Sequence, residues 1–244
     1  QLSLTNSPRI GNKDNIRYVP APDSYRPLGG KAGMDHGHAF AVQVKKMIEE
    51  LERSGHGFSA IIVCPFFANE GFPNLCDGFL DPTVRLVHDA GGIVIADEVQ
   101  PGFGRLGSHM WGHQKIGLKP DIVTLGKPMG NGYPIAGVMT SPEILSAFQD
   151  SFRYFNTFGG NPVACAAGEA VLDILGEEKL VERALDVGSH SLERLKDLAE
   201  RYSCIGDVRG SGLFFGAELV VDPNTREPDP NLAQKVVNEM RNEG

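Results

Sequence analysis

Short apolar runs alternate along the chain with longer stretches in which apolar residues recur every three or four positions, a pattern that predicts strands and helices in turn. Ala60-Ile61-Ile62-Val63-Cys64, Ile93-Val94-Ile95-Ala96 and Ile122-Val123-Thr124-Leu125 are uninterrupted runs of the kind a buried parallel strand gives, and residues 135–139 predict one more strand. Phe40, Val44, Met47, Ile48 and Leu51 fall at helical spacing with Lys45, Lys46, Glu49 and Glu50 between them, which predicts an amphipathic helix over 38–54. Asp81-Pro82 opens a helix to about Ala90, and Gly91-Gly92 closes it. Ser141-Pro142-Glu143 starts another, and Asn161-Pro162 joins a capping side chain to a proline at the first helical position, ahead of a helix to about Leu175. Leu180, Ala184, Val187, Leu192, Leu195 and Leu198 mark a long helix. A glycine-rich, strand-like stretch follows over 207–216, then a loop over 223–230 and a closing helix from about Asn231. Residues 1–37 are rich in Pro, Gly, Asn and Asp and read as loops, with Tyr18-Val19-Pro20-Ala21-Pro22-Asp23 extended and Gly29-Gly30 turning. The order strand, helix, strand at these lengths predicts right-handed crossovers and a mostly parallel sheet, an α/β fold.

Composition narrows the function classes. A chain of 244 residues can bury a sizeable core, and 41% hydrophobic with 22% charged residues is globular rather than disordered. A net charge of −8 argues against a nucleic-acid partner or an anionic membrane surface. No apolar run approaches the roughly 20 residues of a membrane span, so neither nucleic acid nor membrane is an expected partner. Cys64, Cys76, Cys165 and Cys204 lack CxxC spacing, which argues against structural zinc and a disulfide framework and favours a reducing compartment, the cytoplasm. His36 and His38 fall short of the three or four ligands of a metal site and read as a solvated loop before the first helix, so no metal is expected.

The candidate chemistry lies within residues 91–161. The run ending at Ala96 leads into Asp97-Glu98, and the run ending at Leu125 leads into Gly126-Lys127-Pro128, so two strand ends present a carboxylate and an amine at one rim of the sheet. Thr157 precedes Gly159-Gly160. An acid, a lysine and a hydroxyl beside a glycine turn suit pyridoxal phosphate: a Schiff base on the lysine, a carboxylate against the pyridinium nitrogen, a turn for the phosphate. A nucleotide-binding P-loop is excluded, because Asp121 stands where its first glycine belongs and Pro128 where a serine or threonine would hold magnesium. From the residues alone Lys127 could equally be a solvated surface lysine, Asp97 a helix cap or ion-pair member, and Thr157 a turn cap.

The wording ADEVQPGFGRLG, TLGKPMGNGYP and NTFGGNPVACAAG resembles class III pyridoxal-phosphate-dependent aminotransferases, in the branch similar to alanine–glyoxylate aminotransferase 2 and ethanolamine-phosphate phospho-lyase, from about Val19 onward. That resemblance implies a type I pyridoxal-phosphate transferase fold, with 1–202 belonging to the large cofactor-binding domain and 203–244 beginning a small α+β domain. It implies pyridoxal 5'-phosphate as cofactor, Lys127 as Schiff-base lysine and general base, and Asp97 on the pyridine nitrogen. Val99 would pack beneath the ring and Gln100 would bond its phenolic oxygen. Thr157 would reach the phosphate of the other subunit of a homodimer. The implied activity is transamination from an amino acid or amine donor to a keto-acid acceptor; the alternatives are phosphate elimination from an amino-alcohol phosphate, and a chain that keeps the fold without catalysis. Members of the family are longer on both sides, so the chain reads as a piece of a larger enzyme, with the main phosphate loop and the ring-stacking aromatic residue elsewhere. Arg105 and Arg209 read as structural, the family's carboxylate-binding arginine coming from beyond residue 244. One stretch departs from the family pattern: an acid usually ends the strand that here ends in Cys64, and Phe66-Phe67 occupy a loop that usually carries glutamine. Phe66 and Phe67 read as core ahead of pocket wall, and Cys64 as an inert small hydrophobe.

Overall fold

Three parallel strands and one antiparallel edge strand form the framework of the protein, whose computed structural model describes residues 14–244. The loop reading of residues 1–13 lies outside the described residues. Strands β1 (Ala60–Val63), β2 (Ile93–Asp97) and β3 (Ile122–Leu125) pair in parallel, with Ile61 opposite Val94 and Asp97 opposite Thr124. Strand β4 (Gly137–Thr140) returns antiparallel to β3. The sheet is therefore mixed. The connection from residue 126 to 136 holds only the 3-10 turn Lys127–Gly130, too little chain for the crossover helix that a parallel return requires.

Helices flank this sheet: α1 (Gly33–Arg53), α2 (Asp81–Asp89), the short α3 (Gly112–Lys115), α4 (Pro142–Ser151), α5 (Pro162–Glu177), α6 (Leu180–Arg201) and α7 (Pro230–Glu243). Local chemistry explains several starts. The Ser141 hydroxyl accepts the Ile144 N–H at 3.4 Å, the Asn161 side chain accepts that of Ala164 at 3.0 Å, and a proline follows each cap. Val94, Ala96, Val123 and Leu125, on one face of the sheet, join Phe40, Val44 and Ile48 of α1 and Val87 of α2 in the main core. The opposite face of β2, with Ile93, Ile95 and Asp97, is only half-buried. Strands expected to be covered on both faces are thus closed on one. Among the described residues no helix is long and apolar enough to cross a membrane.

Helix α1 begins five residues earlier than its periodicity predicts and takes in both histidines, so the loop reading of His36 and His38 is corrected; His38 is exposed, as expected, but His36 is not. His36 is 5% exposed and meets the Phe79 ring edge-on at 5.1 Å. Burial holds its imidazole below the ordinary histidine range. A Cβ on Gly37 would come within 2.6 Å of the Phe79 carbonyl oxygen, so the first turn of α1 needs a glycine to approach. Among the described residues no group of three His, Cys, Asp or Glu side chains is placed to hold a metal ion, and the four cysteines are free.

The C-terminal part forms a second sheet. Strands β5 (Ile205–Ser211) and β6 (Phe214–Leu219) make an antiparallel hairpin against α6, where Gly188 lies on the Gly212 backbone so closely that a Cβ would overlap the Gly212 carbonyl. The hairpin is tied to the N-terminal segment by charge: Glu218 bonds Arg26 at 2.7 Å and Arg209 at 2.7 Å, and Arg209 also bonds Asp207 at 2.9 Å. Burial alone would raise the Glu218 carboxyl, but hydrogen bonds and charge from Arg26 and Arg209 outweigh it and hold it below the usual glutamate range.

Two outcomes follow from this packing. Gly188→Ala is expected to lower unfolding stability by about 1–3 kcal/mol, read as a reduced urea midpoint, because the new methyl group has no space without shifting the hairpin. A carboxyl depressed by folding contributes stability that is fully present above its unfolded value, about pH 4.3, and is lost as pH falls through its lower folded value. Acid titration of stability should therefore be steeper in the wild type than in Glu218→Gln, which starts less stable at neutral pH but loses no further stability at this position; parallel acid curves would contradict it.

Candidate active site

Parallel pairing brings the ends of β2 and β3 to the same edge of the sheet. The Glu98 N–H continues the ladder by donating to the Thr124 carbonyl at 3.0 Å, so residue 97 and residue 127 leave their strands side by side. Val99 packs against the end of β3: a Cβ on Gly126 would meet both Val99 methyl groups at 3.6 Å. Asp97, Val99 and Lys127 thus belong to one rim.

Extended backbone sends successive side chains to opposite sides, and the two acids after Ala96 separate accordingly. Asp97 is half-buried, and its Oδ1 accepts the Val99 N–H at 3.0 Å, leaving Oδ2 without a donor among the described residues. Glu98 points the other way and is fully buried. Its carboxylate accepts the Gly112 N–H at 2.8 Å and the His113 N–H at 2.7 Å, and faces His113 Nδ1 at 2.8 Å. The first free amides of α3 are thereby satisfied by a charge placed at a helix start. This role for Glu98, and the pairing with His113, escaped the sequence reading. The available signal was a second acid out of phase with the first, which needs a buried partner.

Lys127 is exposed and begins its 3-10 turn at φ 35°, on the left-handed side where non-glycine residues are strained. Among the described residues its amine forms no ion pair and no hydrogen bond. Gln100 is half-buried, and its amide Nε2 donates to Asn69 Oδ1 at 2.9 Å. Asn69 belongs to the 3-10 turn Ala68–Glu70 after β1, and lines a cavity of 370 Å³ together with Cys64, Glu70 and Asp97. That cavity follows the edge strand β1; Lys127 is not on its wall.

Thr157 sits in an exposed segment with Phe152, Tyr154, Phe155 and Phe158, of which Phe155 is 87% exposed. It is not on the wall that carries Asp97. The turn after it is closed by Asn156, whose Oδ1 accepts the N–H groups of Phe158 at 3.1 Å and Gly159 at 3.0 Å. The Gly159 amide is therefore already occupied, while among the described residues the Gly160 N–H has no hydrogen-bond partner. The ring end of pyridoxal phosphate fits what is here: a free carboxylate oxygen, an unpaired amine and a flat valine–glycine seat. The Thr157 hydroxyl and the Gly160 N–H, donors of the kind a phosphate takes, are not on the wall that carries Asp97.

Other expectations resolve cleanly. Phe67 is buried edge-on against Phe40 and also contributes to the wall of the 370 Å³ cavity, while Phe66 is buried in a cluster with Phe72 and Phe214 and lines a smaller cavity of 130 Å³. Arg209 spends its donors on Asp207, Glu218 and the Gly71 carbonyl and is structural. The Arg105 guanidinium lies over the Phe214 ring at 5.0 Å, while its carbonyl accepts the Leu213 N–H at 2.9 Å.

Comparison with known proteins places the chain among relatives. The family profile for class III aminotransferases matches residues 8–244. The chain is 42% identical over 235 residues to an alanine–glyoxylate aminotransferase 2-like protein of Drosophila melanogaster, covering 93% of this chain and 47% of the relative. It is 37% identical over 243 residues to the ethanolamine-phosphate phospho-lyase homolog 1 of Caenorhabditis elegans, covering 95% and 52%. Among solved structures it is similar to a phospholyase from Arthrobacter in complex with phosphoethanolamine, with TM-score 0.85 and 41% identity over 93% of this chain and 54% of that one. The chain spans about half the length of the curated relatives it matches.

One outcome follows from Cys64. Burial pushes its thiol up to about 11, with Asp97 and Glu70 adding to the rise against two backbone hydrogen bonds that lower it. At about pH 8 a thiol-specific reagent should label the exposed Cys165 readily and Cys64 slowly, since only the thiolate reacts. Labelling of Cys64 at the rate of Cys165 would show that its environment is not apolar.

Proposed function

The chain belongs to the class III aminotransferase family, and on that premise we propose that it forms the lysine-bearing portion of a pyridoxal 5'-phosphate-dependent aminotransferase. The whole protein would move an amino group from an amino acid or amine to a keto acid. The observation that carries this reading is the pairing, at adjacent strand ends, of an unpartnered lysine in a left-handed backbone with an aspartate that keeps one oxygen free.

When bound, the cofactor supplies a carbonyl carbon for amine attachment and an aromatic ring that accepts electrons from the substrate. Asp97 would hold a proton on the ring nitrogen through its free oxygen. Lys127 Nζ would act as the base that takes the substrate α-proton and returns it to the cofactor's former carbonyl carbon, on the far side of the amino nitrogen. Val99 seats the ring, and Gln100 directs an N–H at the phenolic oxygen. The phosphate is held by donors from the remainder of the whole protein and by Thr157 of a second subunit, which makes the working unit a homodimer. Exposure of Thr157 and its aromatic neighbours supports that placement.

A second reading has its own support: the likeness to the Arthrobacter phospholyase favours elimination of phosphate from an amino-alcohol phosphate at the same lysine. The products separate the two. Incubation of the cofactor-loaded whole protein with phosphoethanolamine should leave inorganic phosphate and ammonia at background under the first reading, while an amino donor and a keto acid exchange their amino group. Phosphate and ammonia released in equal amounts would assign the lyase. In either case Lys127→Ala should abolish the visible absorbance band that borohydride removes from the wild type, and lower turnover by a factor on the order of a thousand or more. A band surviving in Lys127→Ala would refute the assignment of this lysine.

A further inference from the structure

We propose that Asn69 is a positioning residue for Gln100, holding the Gln100 amide in reach of the phenolic oxygen of the bound cofactor; this rests on the function proposed above. A glutamine amide has two edges of opposite polarity, and only the N–H edge favours an oxygen that carries negative charge. Gln100 Nε2 has two N–H groups, of which one donates to Asn69 Oδ1 at 2.9 Å, leaving the other to point elsewhere. The contact ties the Gln100 amide to the turn after β1, so the amide is held in one place before the ligand arrives.

The turn that carries Asn69 is built to stay in place. Phe67, immediately before it, adopts φ 47°, and Gly71, immediately after, φ 91°. A left-handed conformation at a bulky side chain costs about 1–3 kcal/mol and persists only where the surroundings impose it. Here they do. The Phe67 ring is buried against Phe40, Phe66 clusters with Phe72 and Phe214, and the Phe67 backbone N–H donates to the Cys64 carbonyl at 2.9 Å while its carbonyl accepts from Glu70 and Phe72. The turn hangs from the end of β1, next to β2, and Asn69 shares a cavity wall with Asp97. The two phenylalanines that depart from the family pattern thus act through the backbone: they form the anchor that holds Asn69 against Gln100.

The test compares Asn69→Leu, Gln100→Leu and the double variant with the wild type in the cofactor-loaded whole protein, reading cofactor retention, the pH midpoint of the visible absorbance and the unfolding temperature. Loss of one hydrogen bond predicts about 2- to 10-fold weaker cofactor retention in Asn69→Leu. The pH midpoint should rise, because the N–H favoured the form with more negative charge on oxygen, and the unfolding temperature of the cofactor-free protein should not change. In the Gln100→Leu background, Asn69→Leu should have no further effect, since its action passes through that amide. Equal effects of Asn69→Leu with and without Gln100, or an unmoved pH midpoint in the single variant, would overturn the role of Asn69 while leaving the cofactor reading intact. A wild type without any visible band would overturn both.

Discussion

Side-chain alternation at the end of one strand sets the organisation of the whole rim. Asp97 and Glu98 are chemically alike and adjacent, yet extended backbone sends them to opposite sides. Glu98 is closed off: two backbone amides of α3 and the His113 ring take up its carboxylate in a site with no water access. A buried carboxylate without those donors would be strongly destabilising. By holding α3 it also fixes the path of residues 99–111, on which Val99 and Gln100 ride. Asp97 keeps an open oxygen on the half-buried face because its neighbour has taken over the structural role.

Strain is distributed in a way that agrees with this division. Of the seven non-glycine residues with positive φ among the described residues, five (Phe67, Phe72, Phe103, Lys127 and Asn131) lie in the connections that leave the C-terminal ends of β1, β2 and β3. Such conformations persist where packing over-determines them, and aromatic contacts do so at three of the five: Phe67 against Phe40, Phe72 with Phe66 and Phe214, Phe103 against Trp111. The opposite end of the sheet is tied in a simpler way. Asp121 accepts the Val94 N–H at 2.7 Å and faces His88 at 2.9 Å, a contact that joins α2 to the strand entry without backbone distortion.

Charge plays a second structural part away from the rim. Arg26, Glu218, Arg209 and Asp207 form a chain of ion pairs between the segment before α1 and the β5–β6 hairpin, and the Tyr25 ring lies between the guanidinium groups of Arg26 and Arg226 at 5.0 and 4.9 Å. Residues about two hundred positions apart are joined by these contacts, so the ends of the described chain are not independent of each other. Arg209, which in the sequence could pass for a carboxylate anchor, is fully engaged here.

What the sequence determined by itself was whatever depends on neighbours in the chain. Apolar runs, proline after a capping Ser or Asn, and glycine pairs placed the three parallel strands and most helices within a few residues, because those signals act over one or two turns of backbone. The wording around Asp97, Lys127 and Thr157 placed the family for the same reason. Tertiary structure decided whatever depends on residues far apart. Helix α1 begins at Gly33 because His36 and Gly37 pack on Phe79, a contact that periodicity cannot reveal when neither residue is apolar by type. The edge strand β4 is antiparallel because its connection is short and holds no crossover helix. Glu98 finds its donors fourteen and fifteen residues away, Gln100 meets Asn69 thirty-one residues before it, and Arg209 meets Gly71 across most of the chain. Each of these pairings is fixed by the path of the backbone in space, and a carboxylate, an amide or a guanidinium looks the same in the sequence whether that path brings it a partner or leaves it free.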